Sequence, residues 1–367
     1  MRAARLFIAA TIMLMGGRAA VAGVLLEQVT VYDGTGRAPF VADVRIRGKR
    51  IDAVAPHLRP APGDAVRDAR GLALAPGFID MHTHGDRGLL EDPDAATISR
   101  QGVTTILVGQ DGASHYPLKD YFARVAASPP AINLASMVGH ATVREQVMGK
   151  DLYRASTPAE LARMRTVLER ELEAGAFGLS TGLEYEQAHF ATTEEVVALS
   201  QVAAAAGGFY ISHVRDETDG VFDSFDEVLR IGREARLPVE ITHIKLGSTN
   251  TWHLAATRMP EYFARAEREH VDLRADVYPY TYWHSTIRVL VPDRDYFNPG
   301  KVAQALADNG GAAAVRLAHY APEPSMNGKN LEEIAAAWSV APVEAYMRIV
   351  KDTSAEVDSG VPMRTSS

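Results

Sequence analysis

Gly77-Phe78-Ile79-Asp80-Met81-His82-Thr83-His84 is the stretch that decides the fold. Apolar residues carry it inward and it ends on two histidines one residue apart. Side chains alternate faces along a strand, so positions i and i+2 point the same way. His82 and His84 are therefore expected to project together at a strand's C-terminal end. Two imidazoles held side by side suit a divalent ion such as zinc. A polar strand end would explain an isolated His-x-His equally well, and the rest of the chain separates the two.

Downstream, apolar strand-like runs recur roughly every thirty residues, the length of a strand plus a helix. They are Val103–Gly109, Ile132–Gly139, Ala176–Thr181, Gly208–Ser212, Pro238–Thr242 and Val271–Val277. Helix starts lie between them. Thr157-Pro158-Ala159-Glu160 has capping-box spacing with proline at the first helical position, and Thr192/Glu195 and Ser224/Glu227 repeat the spacing. Gly175 and Gly207 stand where helices should end. Strand–helix alternation implies a parallel sheet, and seven or more units imply an α/β barrel of the (β/α)8 TIM type. His82, His84, Asp111, His140, Glu184, His213 and His243 all fall at or just past strand C-termini, the end where such barrels build active sites. Four strand-end histidines, on strands one, five and six, are not explained by core packing.

Upstream, Val24 to Val54 alternates apolar and polar residues around turn signals at Asp33-Gly34 and Gly48-Lys49-Arg50, predicting antiparallel strands. Residues 23–72 are expected to form the N-terminal part of a β-sandwich, and residues 73–352 the barrel. Arg2, Arg5, the apolar run Leu6 to Met15 and the small residues Ala20-Val21-Ala22 have the layout of a secretory signal peptide over residues 1–22. The run is shorter than the roughly 20 apolar residues of a membrane span. The mature chain is expected to be exported, in a bacterium to the periplasm, with no stable membrane contact after cleavage. Composition agrees with a globular protein: 367 residues, 47% hydrophobic and 23% charged. A net charge of −8 gives no electrostatic basis for a nucleic-acid partner. The absence of cysteine excludes disulfides and thiol catalysis.

The stretches APGFIDMHTH, GVTTILVGQDG, MVGHATVR, GAFGLSTGLEY, GGFYISHVRDE, PVEITHIK and DVYPY, in this order, resemble the D-aminoacylase (N-acyl-D-amino-acid deacylase) branch of the amidohydrolase superfamily. The resemblance implies a metal-dependent hydrolase of an N-acyl amide bond, with one or two divalent ions, zinc first, and an N-acyl amino acid as its small-molecule partner. It assigns His82 and His84 to one ion and His213 and His243 to the tighter one. Many relatives carry a bridging cysteine after strand two where this chain has Asp111, and a carboxylate can bridge as well. Glu184 is the competing bridge. Lys245, two residues after His243, is implied as the partner of the substrate's α-carboxylate, and a cationic side chain suits that task. Tyr278 or Tyr280 is expected to donate to the oxyanion. His140 and Arg215 are placed behind the ligands, Arg215 as a further substrate contact. A D-residue dipeptidase and a hydantoinase-like cyclic amidase are the alternative activities.

The family's eighth strand ends in an aspartate that acts as general base, and no run after strand seven supplies it. Ile287–Val291 precedes Asp293 too soon for an intervening helix. Thr353 to Glu356, before Asp358, does not have the pattern of a buried strand. Residues 353–367 are expected to be an irregular tail, as of a frameshifted or cut end. The barrel is then expected to lack strand eight, and the second expectation for function is an impaired remnant that only binds metal or ligand.

Overall fold

A computed structural model of the chain describes residues 22–280, 282–352 and 356–359. The expected leader lies outside the described residues except for Ala22. Among the described residues no helix is long and apolar enough to cross a membrane. The chain divides into two compact units after Gly77, five residues later than the sequence pattern placed the boundary.

In the first unit β1 (Gly23–Val31) is central. It pairs antiparallel with β2 (Phe40–Arg47), which pairs with β3 (Arg50–Ala55), and runs parallel to β4 (Ala65–Asp68) and β5 (Ala73–Leu74). Alternation puts Val29, Val31, Ala42 and Val44 on one buried face. Buried Asp43 accepts from the Gln28 and Leu58 amides at 2.8 and 2.9 Å, holding the irregularity in β1 between Leu26 and Val29. Those backbone donors also hold its carboxyl below the usual range.

The second unit is the parallel barrel-type array. One ladder holds β6 (Phe78–Asp80), β7 (Val103–Val108) and β8 (Asn133–Ser136). The other holds β9 (Val138–Gly139), β10 (Gly178–Gly182), β11 (Phe209–His213), β12 (Val239–Ile241) and β13 (Leu273–Ala275), paired in chain order. β8 and β9 are one run interrupted at Met137, whose amide donates to the Val108 carbonyl. Leu179, Tyr210, Val239 and Ile241 face outward onto helices that contribute Met164, Leu168, Leu199 and Leu229 to the same core. β6 pairs only with β7 among the described residues, and Phe78 and Ile79 are 65% and 61% exposed, so the opening segment does not run inward as its apolar residues suggest.

The capping box at Thr157 forms in both directions, with Glu160 N to Thr157 Oγ1 at 3.2 Å and Thr157 N to Glu160 Oε2 at 2.8 Å. Thr192 Oγ1 caps its helix by accepting from Glu195 N. Ser224 does not begin a helix. That helix spans Val221–Ala235, and Ser224, inside its first turn, accepts from the Asp216 amide. Its hydroxyl is used by the preceding loop instead of the helix start.

Beyond β13, β14 (Trp283–Thr286), β15 (Val315–His319) and β16 (Glu356–Ser359) form an antiparallel sheet in the order β14-β16-β15. Helices Pro299–Asp308, Leu331–Trp338 and Pro342–Asp352 pack with it around a core of their own, including Leu290, Val302, Leu317, Ile334 and Tyr346. Residues 353–367 are therefore not wholly irregular. β16 is too short to show periodicity, and its two partners lie far away in sequence. Residues 353–355 and 360–367 lie outside the described residues.

Candidate metal centre

β6 ends at Asp80, so His82 and His84 sit in the bend that follows it and not on the strand. The bend is pinned twice. Asp80 Oδ1 accepts from the His82 amide at 3.1 Å, and Gln110 Nε2 donates to the Met81 carbonyl at 2.8 Å. The two imidazoles stay together, 5.7 Å apart and edge to face.

Asp111 follows β7 in a tight Gly-Gln-Asp-Gly turn and has a left-handed backbone, φ 55°. Gly109 is required there, since a Cβ would lie 2.4 Å from the Met137 carbonyl oxygen at φ 76°. The turn places the Asp111 carboxylate between two histidine pairs. Oδ2 lies 3.0 Å from His84 Nε2 and 3.5 Å from His82 Nε2. Oδ1 lies 3.5 Å from His243 Nε2 and 4.0 Å from His213 Nδ1. Burial opposes its charge, yet His243, His82 and His84 hold its carboxyl well below the usual range.

His213 and His243 face each other, with Nδ1 and Nε2 3.0 Å apart. Their outer nitrogens are anchored. His213 Nε2 meets Glu184 Oε2 at 2.8 Å, so Glu184 orients the ring from behind and does not bridge beside Asp111. The sequence reading of Glu184 as a ligand is corrected by which nitrogen it holds. His243 also has a left-handed backbone, φ 36°, and its amide donates to Asp276 Oδ1 at 2.7 Å. Its Nδ1 lies 3.1 Å from Glu217 Oε1 and 2.8 Å from Lys245 Nζ. Burial and Lys245 work against a charge on this ring, but Glu217 and Asp111 outweigh them and raise it to about 9.

Two groups of ligand atoms are close enough to hold an ion: His82, Asp111 and His243, and His213, Glu217 and His243. The second has the Lys245 ammonium 2.8 Å from His243 Nδ1 and 2.6 Å from Glu217 Oε1, and a like charge there opposes a cation. In the first, Asp111 Oδ1 is buried without a hydrogen-bond partner. An all nitrogen and oxygen donor set with an orphaned carboxylate oxygen at its centre fits a divalent ion.

The ligands open into a cavity of about 590 Å³. Lys245 lines it but is 8% exposed, and its ammonium already donates to Glu217 Oε1 at 2.6 Å. Tyr278 and Tyr280 line the same cavity, Tyr280 being 67% exposed. Burial pushes the Tyr278 phenol up. Tyr185 lines it too, with its hydroxyl 3.3 Å from His213 Nδ1. Burial, then the charges of Asp111 and Glu217, raise its phenol well above the ordinary range, so it stays a donor. Sequence reasoning passed over Tyr185, although it adjoins Glu184 in a strand-end loop. Glu217 and Asp276 were missed as well, each being a motif residue whose task depends on a partner from another strand.

Arg215 does not serve the cavity. Its guanidinium forks onto Glu227 at 2.9 and 2.7 Å and donates to the His189 carbonyl, which corrects its expected role as a substrate contact. His140 is fully buried against Glu195, away from the ligands, at 2.8 Å.

A model of the amidohydrolase family matches residues 65–358. D-aminoacylase of Alcaligenes xylosoxydans xylosoxydans is 35% identical over 338 residues, 85% of this chain and 65% of that protein. N-acyl-D-glutamate deacylase of the same organism is 34% identical, covering 89% of this chain and 67% of that protein. The chain thus spans about two thirds of the length of these relatives. The crystal structure of a D-aminoacylase superposes with a TM-score of 0.77 at 32% identity, over 92% of this chain and 71% of the other. N-acyl-D-glutamate deacylase from Bordetella bronchiseptica, solved with zinc and a phosphonate mimic of the tetrahedral intermediate, gives 0.80 at 30% identity over the same shares. The chain belongs to the amidohydrolase family, in its D-aminoacylase branch.

Proposed function

We propose that the chain hydrolyses the amide bond of an N-acyl-D-amino acid, giving a carboxylate and a free D-amino acid, with zinc as the divalent ion. The observation that carries this is the Asp111 carboxylate set between the histidine pairs His82/His84 and His213/His243, all lining the cavity. An ion held by these five residues supplies Lewis acidity toward the amide carbonyl and acidifies water. The chain's own groups orient the ligands and bind the substrate. Glu184 fixes the His213 ring, and the Tyr185 hydroxyl, which keeps its proton, donates to the amide oxygen as it gains charge. Tyr278 and Tyr280 line the same cavity. Lys245 presents positive charge to the substrate carboxylate while Glu217 holds it in place.

The test is an assay of the zinc-loaded chain on N-acetyl-D-amino acids, their L enantiomers, D-dipeptides and cyclic ureides. Turnover confined to the N-acyl-D compounds is expected. Turnover of a dipeptide or ureide in their place would reassign the reaction, and turnover of none would defeat the proposal.

Lys245→Ala should weaken capture of the free acid by about 1.5–3 kcal/mol, the worth of a hydrogen bond to a charged group, and leave the methyl ester nearly unchanged. KM measured for both forms decides it. Arg87 lines the same cavity and has no ion pair among the described residues. A loss specific to the acid in Arg87→Ala but absent in Lys245→Ala would move the contact to Arg87.

A further inference from the structure

We propose that Asp276 is the positioning residue of this centre, holding His82 with its proton on Nδ1 so that the lone pair on Nε2 is turned toward Asp111. The inference rests on the metal centre proposed above and adds a residue to it.

Asp276 comes one residue after β13 and is tied to the His243 segment by three hydrogen bonds. Its amide donates to the Ile241 carbonyl at 3.2 Å, its carbonyl accepts from Ile244 N at 2.9 Å, and its Oδ1 accepts from His243 N at 2.7 Å. The second carboxylate oxygen is thereby aimed. Oδ2 lies 3.8 Å from His82 Nδ1, and both atoms are buried with no hydrogen-bond partner. A buried polar atom without a partner is costly. These two are complementary and stand about 1 Å beyond a charge-assisted hydrogen bond. The opposite nitrogen of the ring, Nε2, is 3.5 Å from Asp111 Oδ2.

The two faces of His82 thus meet two different carboxylates. Only the Nδ1–H tautomer satisfies Asp276 and leaves Nε2 free to bind an ion. The same carboxylate holds the backbone of a sixth-strand histidine with one oxygen and faces a first-strand histidine with the other, so closing that gap to a hydrogen bond would fix their separation. Their rings lie 4.8 Å apart.

Asp276→Asn separates these contributions. The amide oxygen can still accept from His243 N, but the NH2 group then faces His82 Nδ1 and selects the tautomer that blocks Nε2. Titration calorimetry with Zn2+ should show binding about 10–100-fold weaker than in the wild type, the usual cost of losing such a partner. The visible spectrum of the cobalt-loaded protein should change as well. In a His82→Ala background the same substitution should cost less than about twofold. Binding within twofold of wild type, or an undiminished loss in the His82→Ala background, would overturn the proposal. If the Asn variant does not fold, 15N-histidine spectra of the zinc-loaded wild type decide. A proton on His82 Nδ1 supports the assignment and one on Nε2 defeats it. A wild type that takes up no ion would instead remove the metal centre, and the assignment with it.

Discussion

Purified His243→Ala is expected to lose most of its divalent ion, with affinity falling on the order of 10³-fold, roughly 4 kcal/mol. A direct ligand should cost more than the 10–100-fold of an outer partner. Two features of the site argue for so large an effect. His243 Nε2 stands 3.5 Å from Asp111 Oδ1 and 3.0 Å from His213 Nδ1, so its removal opens the middle of the donor set. The alanine also leaves Lys245 without the nitrogen it contacts at 2.8 Å, freeing the ammonium to lean toward the cation. Amide hydrolysis should fall in step with ion content. His270→Ala, at an exposed turn after the helix Ala255–Arg268, should keep its ion. Elemental analysis of both folded variants against wild type is the check, and equal metal content in His243→Ala and wild type would refute the ligand assignment.

The second large effect is on stability. Glu195 is 2% exposed and accepts from Arg144 Nη1 at 2.6 and 2.9 Å and from Ser156 Oγ at 2.5 Å, with His140 Nε2 at 2.8 Å. Glu195→Ala strands the Arg144 guanidinium, itself fully buried, beside an emptied site. Breaking one side of a buried pair costs about 3–5 kcal/mol. Urea unfolding at neutral pH should show the loss. Burial resists the Glu195 charge, but His140, Ser156 and Arg144 prevail and lower its carboxyl to about 2. A depressed carboxylate stabilises the fold above its unfolded value near 4.5, and that contribution is lost as pH falls from there toward about 2. The wild type should therefore lose stability along this acid limb, and the alanine variant should show a flatter one. A variant as stable as wild type at pH 7 would mean that the network can repack.

The barrel strands and the clustering of Asp111 with the strand-end histidines were legible because both leave local marks. An apolar run bounded by glycine marks a strand, and a histidine or aspartate just past it marks the reacting end. The outer contacts left none. Whether Glu184 bridges or orients depends on which His213 nitrogen it meets, a matter of side-chain rotation. Arg215 lies within a ligand-bearing motif, yet its fork is matched by Glu227 on the following helix, and that pair removes it from the cavity. β16 exists because β14 and β15 flank it, and four residues carry too little pattern to announce a strand.

The left-handed backbones at positions 111 and 243 restrict the range of side chains these loops can accept. Asp, Asn and His are the non-glycine residues most enriched at positive φ, and β-branched side chains are strongly disfavoured there. Asp111 at φ 55° is the only anion within that short alphabet, and His243 at φ 36° the only imidazole. Chain handedness and coordination chemistry thus both favour the two amino acids found there. A β-branched replacement at either position, such as valine or threonine, would strain the loop before it could serve the ion.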